Sequence, residues 1–198
     1  MPHNQNLPAH HLPPHLFEQS REVVLGMPDI SDQQPLRTIV GASVAVCLIV
    51  EGAHWCAVRQ ILLPSLAHGH RHDAMLQADA YLEDLFNQLR IAANIQGDGL
   101  AYRKIKAKIF GGADFGAGGL CFSDGAQSLA FVRSWLHTRN VQILAESVGG
   151  TSRRELILQP SKGVVYCRQT VLDSQFLGQE RELLAHQHEV SASHVELF

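Results

Sequence analysis

The stretch TIVGASVAVC, at residues 38–47, lies within a mostly apolar and β-branched run that extends from Leu36 to Val50. Such composition favours β-strands. The interruption at Gly41 indicates a bulge or the close approach of another backbone, so the run divides into two predicted strands, Arg37–Val40 and Val44–Val50. These two strands form the centre from which the rest of the fold is predicted.

The segments on the C-terminal side of this run predict a mixture of strands and helices. Glu51-Gly52 predicts a turn, and His54–Leu62 is the expected partner strand, which Pro64 ends. Asp73 is placed as an N-cap. The helix expected after it has apolar residues that recur at helical spacing: Met75, Ala78, Leu82, Leu85, Phe86 and Leu89.

The second half of the chain predicts four further β-strands and one more main helix. Lys104–Phe110 alternates apolar residues with lysines, as a half-buried strand does. Ser123 or Asp124 is a candidate cap for a helix that carries Leu129, Val132 and Leu136 on one face. The remaining β segments are Val141–Glu146 and a hairpin formed by Glu155–Leu158 and Val164–Arg168. Because strands and helices do not alternate regularly, we expect a layered α+β domain with two main helices rather than a doubly wound sheet.

Composition limits the classes of partner. The 198 residues are 45% hydrophobic and 18% charged with a net charge of -3, which suits one packed domain and provides no general basic field for nucleic acid or acidic lipid. No apolar run approaches the ~18 residues that span a bilayer, and no secretory signal is recognised, so we expect a cytoplasmic protein without membrane insertion. The four cysteines lack the spacing of a redox pair and are expected to be reduced.

The same patterns predict three regions along the chain. Residues 1–20 are rich in proline and histidine and are expected to form a flexible arm. Residues 21–170 hold the predicted domain. Residues 171–198 are expected to form a short helix, with Phe176 on its apolar side, followed by a polar tail.

Four blocks of this sequence resemble the CheD family of chemoreceptor glutamine deamidases. Residues 38–47 resemble the family's T-L-L-G-S-C-V-A-V-C, and the block KAKIFGGA at residues 106–113 resembles its K-A-K-V-F-G-G-A. The other two are RHDAM at residues 71–75 and the strand, Gly-Gly and Arg-Arg elements at residues 141–154. The resemblance extends from about Glu22 to Arg168.

This resemblance implies a three-layer fold of β-sheets and helices, and hydrolysis of receptor glutamine side chains to glutamate. It also implies methyl-accepting chemoreceptors and the phosphatase CheC as partners, and no cofactor. The family's nucleophilic Cys corresponds to Ser43, and its catalytic His, which opens an H-x-x-L-P run, corresponds to Gln60. Its orienting Thr corresponds to Thr38, although some members carry that Thr one residue earlier, where this chain has Arg37.

The substituted residues predict weak or no hydrolysis. A serine hydroxyl becomes nucleophilic only beside a base, and a glutamine amide has no proton-transfer equilibrium near neutral pH. Two interpretations follow: a receptor-glutamine deamidase of weak or no activity, and a binding module that contacts receptors or a CheC-type phosphatase without catalysis.

Two other sites are weaker candidates. A Cys47–His54 pair would form a relocated catalytic dyad. The tract from His68 to His72 resembles a metal-binding segment, but we interpret it as a polar loop before a helix, so no metal is expected.

Overall fold

The computed structural model describes residues 12–24, 26–63, 71–97, 103–114, 125–171, 176, 178–180 and 182. The helices are α1 (Pro14–Gln19), α2 (Arg71–Ala92) and α3 (Gly125–Thr138). The strands are β1 (Arg21–Glu22), β2 (Asp29–Ser31), β3 (Leu36–Val40), β4 (Val44–Val50), β5 (Cys56–Ile61), β6 (Ile105–Gly111), β7 (Ile143–Val148), β8 (Arg153–Gln159) and β9 (Val164–Thr170). A short 3₁₀ turn, Pro160–Lys162, joins the last two strands.

The strands form two sheets. The four-stranded sheet has the order β1-β3-β8-β9 and the five-stranded sheet has the order β2-β5-β4-β6-β7. Within the second sheet, β4 pairs antiparallel with both β5 and β6, so β4 is its central strand. The predicted break at Gly41 therefore separates two strands that belong to different sheets.

Burial of β4 on both faces defines the layers. Each of its seven residues is buried. One face packs with residues of α2 and α3 and consists of Val44, Val46, Leu48 and Val50. The other packs with residues of β3 and β8 and consists of Ala45, Cys47 and Ile49. The order of layers is therefore four-stranded sheet, five-stranded sheet and helices, which confirms the predicted α+β class and the three-layer arrangement.

The two main helices lie close to their predicted positions. Five of the six predicted apolar positions of α2 are buried, and the sixth, Met75, packs against the same core. The helix begins at Arg71, so Asp73 lies inside its first turn and is not the N-cap. An acidic residue there still interacts favourably with the helix dipole. The candidate caps Ser123 and Asp124 of α3 lie outside the described residues.

The second half of the predicted N-terminal arm is packed against the domain. Residues 14–19 form α1, and Leu12 and Leu16 are buried in a small cluster with Ile157 of β8. The prediction of a flexible arm therefore differs from the structure at residues 12–20. The proline content that suggested an arm has a local explanation, since Pro14 occupies the first helical turn, where a proline needs no hydrogen-bond donor.

Residues 41–43 connect β3 of one sheet to β4 of the other. Backbone hydrogen bonds from the 111–113 segment fix their position. The backbone N–H of Gly112 donates to the Ser43 carbonyl at 2.9 Å, and that of Ala113 donates to the Gly41 carbonyl at 2.8 Å. Gly111 has a φ of +104°, and a Cβ atom at this residue would lie 2.1 Å from the Ser43 carbonyl oxygen. Only glycine permits both this backbone conformation and this approach.

No helix in the described parts of the chain is long and apolar enough to cross a membrane.

Replacing Gly111 with alanine should disrupt the crossing between the sheets. We expect Gly111→Ala to lower the free energy of unfolding by about 3 kcal/mol or more, because the new methyl group collides with backbone and the φ is strained. Gly52→Ala is the matched control, since Gly52 also has a positive φ, +77°, but has open space around it. It should cost only about 1 kcal/mol. Urea denaturation of both variants measures the difference, and equal losses would contradict the proposed close approach.

Candidate active site

The candidate site lies where the strands β3, β4 and β5 meet. Ser43 immediately precedes β4 and is fully buried. Ala45, two residues further along the chain, is paired with Gln60 of β5. Because side chains alternate along β5, Gln60 lies on the same face as Cys56 and Val58, which pack between the two sheets. The alternation thus directs Gln60 into the layer between the sheets.

Thr38 enters the same layer from the opposite sheet. Leu36, Thr38 and Val40 are the buried positions of β3, and the residues between them are half-buried. The Gln60 Nε2 group donates to the Thr38 Oγ1 atom at 2.6 Å. Arg37 is directed elsewhere, forming an ion pair with Glu22 at 2.9 Å. The structure therefore brings Thr38, and not position 37, into contact with Gln60.

The hydrogen bonds of Gln60 determine the orientation of its amide. Nε2 also donates to the Ile39 carbonyl at 3.1 Å, and a carbonyl can only accept. The Oε1 atom therefore faces Ser43, whose hydroxyl lies 2.9 Å away. Ser43, Gln60 and Thr38 form one connected chain of hydrogen bonds, with an amide in its middle position.

Glu180 is the functional neighbour that the sequence did not reveal. Glu180 is fully buried, and its Oε1 atom lies 2.8 Å from the Ser43 hydroxyl oxygen. The same carboxylate accepts hydrogen bonds from the backbone N–H groups of Gly41, Ala42 and Ser43 at 3.1, 3.0 and 2.9 Å. The sequence analysis predicted only a short C-terminal helix with an apolar side, and it did not locate that helix on the domain. Nothing in the pattern distinguished Glu180 from neighbouring carboxylates.

We call these donors, the backbone N–H groups of residues 41–43 with the Ser43 hydroxyl, the amide cradle. Its orientation follows from the contacts described above. The carbonyls of Gly41 and Ser43 accept hydrogen bonds from the 111–113 segment, so this side of the loop is occupied. The three N–H groups converge on the carboxylate of Glu180 instead. Converging backbone donors of this kind stabilise negative charge on oxygen.

Two arginines hold the loop beside the cradle and the C-terminal segment. The buried Arg154 donates to the Gly149 carbonyl at 2.7 Å and to the Ser147 hydroxyl at 3.1 Å. The Gly149 N–H group donates to the Gly111 carbonyl, which connects this loop to the crossing. The Arg153 guanidinium lies 5.8 Å from the ring centre of the buried Phe176, in a cation–π contact with the segment that carries Glu180.

The relocated dyad is not supported by the surroundings of its cysteine. Cys47 is completely buried between the sheets, and this burial raises the pKa of its thiol well above the ordinary value. His54 is exposed in the turn after β4. A protonated thiol in an apolar layer is a poor nucleophile. Cys47, Cys56 and Cys167 are free cysteines in the structure, whereas Cys121 lies outside the described residues.

The metal-binding candidate cannot be placed as a cluster. His68 and His70 lie outside the described residues, and so does the side chain of Arg71. Pro64, the predicted end of the strand before this tract, also lies outside them. Where the chain is described, it contains no group of three His, Cys, Asp or Glu side chains that could hold a metal ion.

Comparison with known proteins identifies the family. Residues 62–169 match the family described as CheD chemotactic sensory transduction. The chain belongs to the CheD family. The matched range begins after Ser43 and Gln60.

Individual relatives agree with this assignment. The chain is 30% identical over 145 residues to a "Probable chemoreceptor glutamine deamidase CheD 2" of Dechloromonas aromatica, covering 72% of this chain and 71% of the relative. It is 34% identical over 143 residues to a "Probable chemoreceptor glutamine deamidase CheD" of Rhizobium meliloti, covering 71% of each. A CheD 1 protein of Ruegeria, described in the same words, is 32% identical over 145 residues, covering 72% of this chain and 71% of its own length.

Removing the amide of Gln60 should destabilise this CheD domain. Gln60→Leu leaves the Thr38 hydroxyl and the Ile39 carbonyl without their partner in a buried layer, so we expect a loss of about 1–3 kcal/mol in the free energy of unfolding. Gln88→Leu, on the exposed face of α2, makes the same chemical change and should alter stability by no more than about 0.5 kcal/mol. Urea denaturation compares them, and an unaltered Gln60→Leu protein would refute the hydrogen-bonded chain.

The two buried thiols should resist alkylation in the folded protein. Burial raises the pKa of Cys56 to about 12 and raises that of Cys47 in the same direction, so at about pH 8 both stay protonated, and the thiolate is the reactive form. Mass spectrometry of peptides after iodoacetamide treatment should show labelling of both residues only in urea. Rapid labelling of folded Cys47 that rises with pH through neutrality would instead revive the relocated site.

Proposed function

We propose that this CheD-family chain binds chemoreceptors through the amide cradle and hydrolyses their glutamine side chains weakly or not at all. The observation that carries this proposal is the position of Gln60. Its amide oxygen faces the Ser43 hydroxyl at 2.9 Å, where an amide hydrolase requires a group that can take a proton.

The site lacks a group for the proton transfers that amide hydrolysis requires. An amide is hydrolysed through a tetrahedral intermediate that needs a nucleophile, a base for its proton and an acid for the departing ammonia. Gln60 performs neither proton step. Loss of general base catalysis costs roughly 10²- to 10⁴-fold in rate, and dismantling a nucleophile–base pair costs about 10⁶-fold.

Glu180 does not replace the missing base. Its carboxylate lies within hydrogen-bond distance of the Ser43 hydroxyl, but it also accepts the three N–H groups of the cradle. Those donors are the ones that a substrate carbonyl oxygen would need as it becomes negative. A substrate can therefore enter only if Glu180 leaves the cradle. Its carboxylate then no longer contacts the Ser43 hydroxyl and cannot accept the proton of that hydroxyl.

The features that support binding are retained beside the altered chemistry. The cradle donors remain in place, and a cavity of about 660 Å³ next to them is lined by residues of several elements, among them Glu22, Arg37, Thr38 and Gln60. The names of the relatives supply the chemoreceptor as the partner class. In this proposal the protein acts in the cytoplasm, and a CheC-type phosphatase is a second partner implied by the family resemblance.

Restoring the family's two reactive groups should restore hydrolysis. We expect the unaltered chain to release no ammonia above background from a chemoreceptor cytoplasmic fragment. Ser43→Cys combined with Gln60→His should convert receptor glutamine to glutamate, and either change alone should do little, because a thiol without a base stays protonated and a base without a thiol has only serine to activate. Ammonia release and the mass increase of receptor peptides measure the four proteins.

Two outcomes would contradict the proposal. Steady ammonia release by the unaltered chain that disappears in Ser43→Ala would show that a serine route operates. A folded chain that binds no chemoreceptor fragment in a pull-down would refute the binding role.

A further inference from the structure

The occupant of the amide cradle is a side chain of the protein itself. Glu180 lies 137 positions after Ser43, and the intervening chain ends β9 at Thr170 before returning to the site. The carboxylate accepts three backbone N–H groups, those of Gly41, Ala42 and Ser43, and its Oε1 atom shares the single proton of the Ser43 hydroxyl with Gln60 Oε1. Such charge-assisted bonds to an otherwise buried carboxylate make a built anion site rather than a surface contact.

The donors are distributed over both oxygen atoms of the carboxylate. Oε1 accepts from Gly41 N–H, Ser43 N–H and the Ser43 hydroxyl, and Oε2 accepts from Ala42 N–H. A carboxamide has one accepting oxygen and one donating nitrogen. In either orientation its NH₂ group would face a backbone N–H, so two donors would meet. The cradle therefore selects a carboxylate over a carboxamide.

The segment that carries Glu180 also contributes to the adjacent cavity. Phe176 and Gln179 line this cavity together with Glu22, Arg37 and Glu155. Withdrawal of Glu180 would free the cradle donors for another carboxylate. An intramolecular ligand acts at a high effective concentration, so it competes strongly with any ligand from solution.

We propose that the amide cradle is a binding site for the glutamate side chain of a chemoreceptor segment, and that Glu180 occupies it as an intramolecular competitor. This inference rests on the proposed binding function and gives it a direction: the chain recognises the receptor's glutamate form, which is the product of deamidation, in preference to the glutamine form. A protein that binds the glutamate form of the receptor needs hydrogen-bond donors for a carboxylate, and it needs no catalytic base.

The first test uses small probes that do not depend on the receptor. Binding of N-acetyl-glutamate amide and N-acetyl-glutamine amide is followed through the backbone N–H signals of residues 41–43 by NMR. Glu180→Ala should bind the glutamate probe about ten-fold or more tightly than the unaltered chain does, because the internal competitor is gone. The glutamine probe should bind Glu180→Ala about ten-fold or more weakly than the glutamate probe, because its NH₂ group meets a donor.

The control is Glu51→Ala, which removes the same charge from an exposed turn. Glu51 does not line the cavity and makes no described bond to the cradle, so this variant should bind the probes as the unaltered chain does. Glu180→Gln provides a second variant of unchanged size. It should accelerate hydrogen exchange at the three cradle N–H groups about ten-fold or more, since an amide cannot satisfy all of them. This measurement stands even if Glu180→Ala fails to fold.

The inference is overturned if Glu180→Ala binds both probes equally, binds neither, or binds no better than the unaltered chain, or if Glu180→Gln leaves hydrogen exchange unchanged. A receptor cytoplasmic fragment, prepared with glutamate or with glutamine at its modification sites, separates the two proposals. If the small glutamate probe binds but neither fragment does, the proposed receptor function fails. If both fragments bind equally, the receptor function stands and the selectivity for glutamate fails.

Discussion

The crossing of the chain between its two sheets is the constraint on which the site depends. Residues 41–43 leave the four-stranded sheet after β3 and enter the five-stranded sheet at β4, and the N–H groups of Gly112 and Ala113 hold two of their carbonyls. Gly111 permits this approach, because any Cβ atom would collide with the Ser43 carbonyl. Once the carbonyls are bound on one side, the N–H groups project on the other. The anion-binding geometry is thus a consequence of how the backbone changes sheets.

The site is also an exception to the packing around it. The layer between the sheets is apolar, formed by residues such as Cys47, Val58 and Leu156, yet Thr38 and Gln60 place polar groups inside it. Buried polar groups are tolerated when each finds a partner. Here the amide of Gln60 links Thr38, Ile39 and Ser43. A glutamine at this position therefore satisfies the buried polar groups around it, and its amide has no proton-transfer equilibrium near neutral pH.

Much of the fold follows from local pattern. The glycine at position 41 correctly divided two strands, the helical spacing from Met75 to Leu89 identified the face of α2 that is buried, and the alternation of β6 predicted its inward residues. The boundaries were less secure: α2 begins before Asp73, and residues 12–20 pack where an arm was expected. These differences share a cause, since contacts with distant segments decide whether a short, proline-containing stretch is ordered and where a helix starts.

The sequence by itself determined the family frame and the chemical identity of the residues at Ser43, Gln60 and Thr38, because strand periodicity and motif spacing are local properties of the chain. Only the tertiary structure decided that Glu180 fills the amide cradle, that Thr38 rather than position 37 contacts Gln60, and that the thiol of Cys47 is sealed between two sheets. The physical reason is the distance along the chain. A hydrogen bond between residues 137 positions apart leaves no periodic trace in either segment, and it exists only once both sheets have assembled around the crossing.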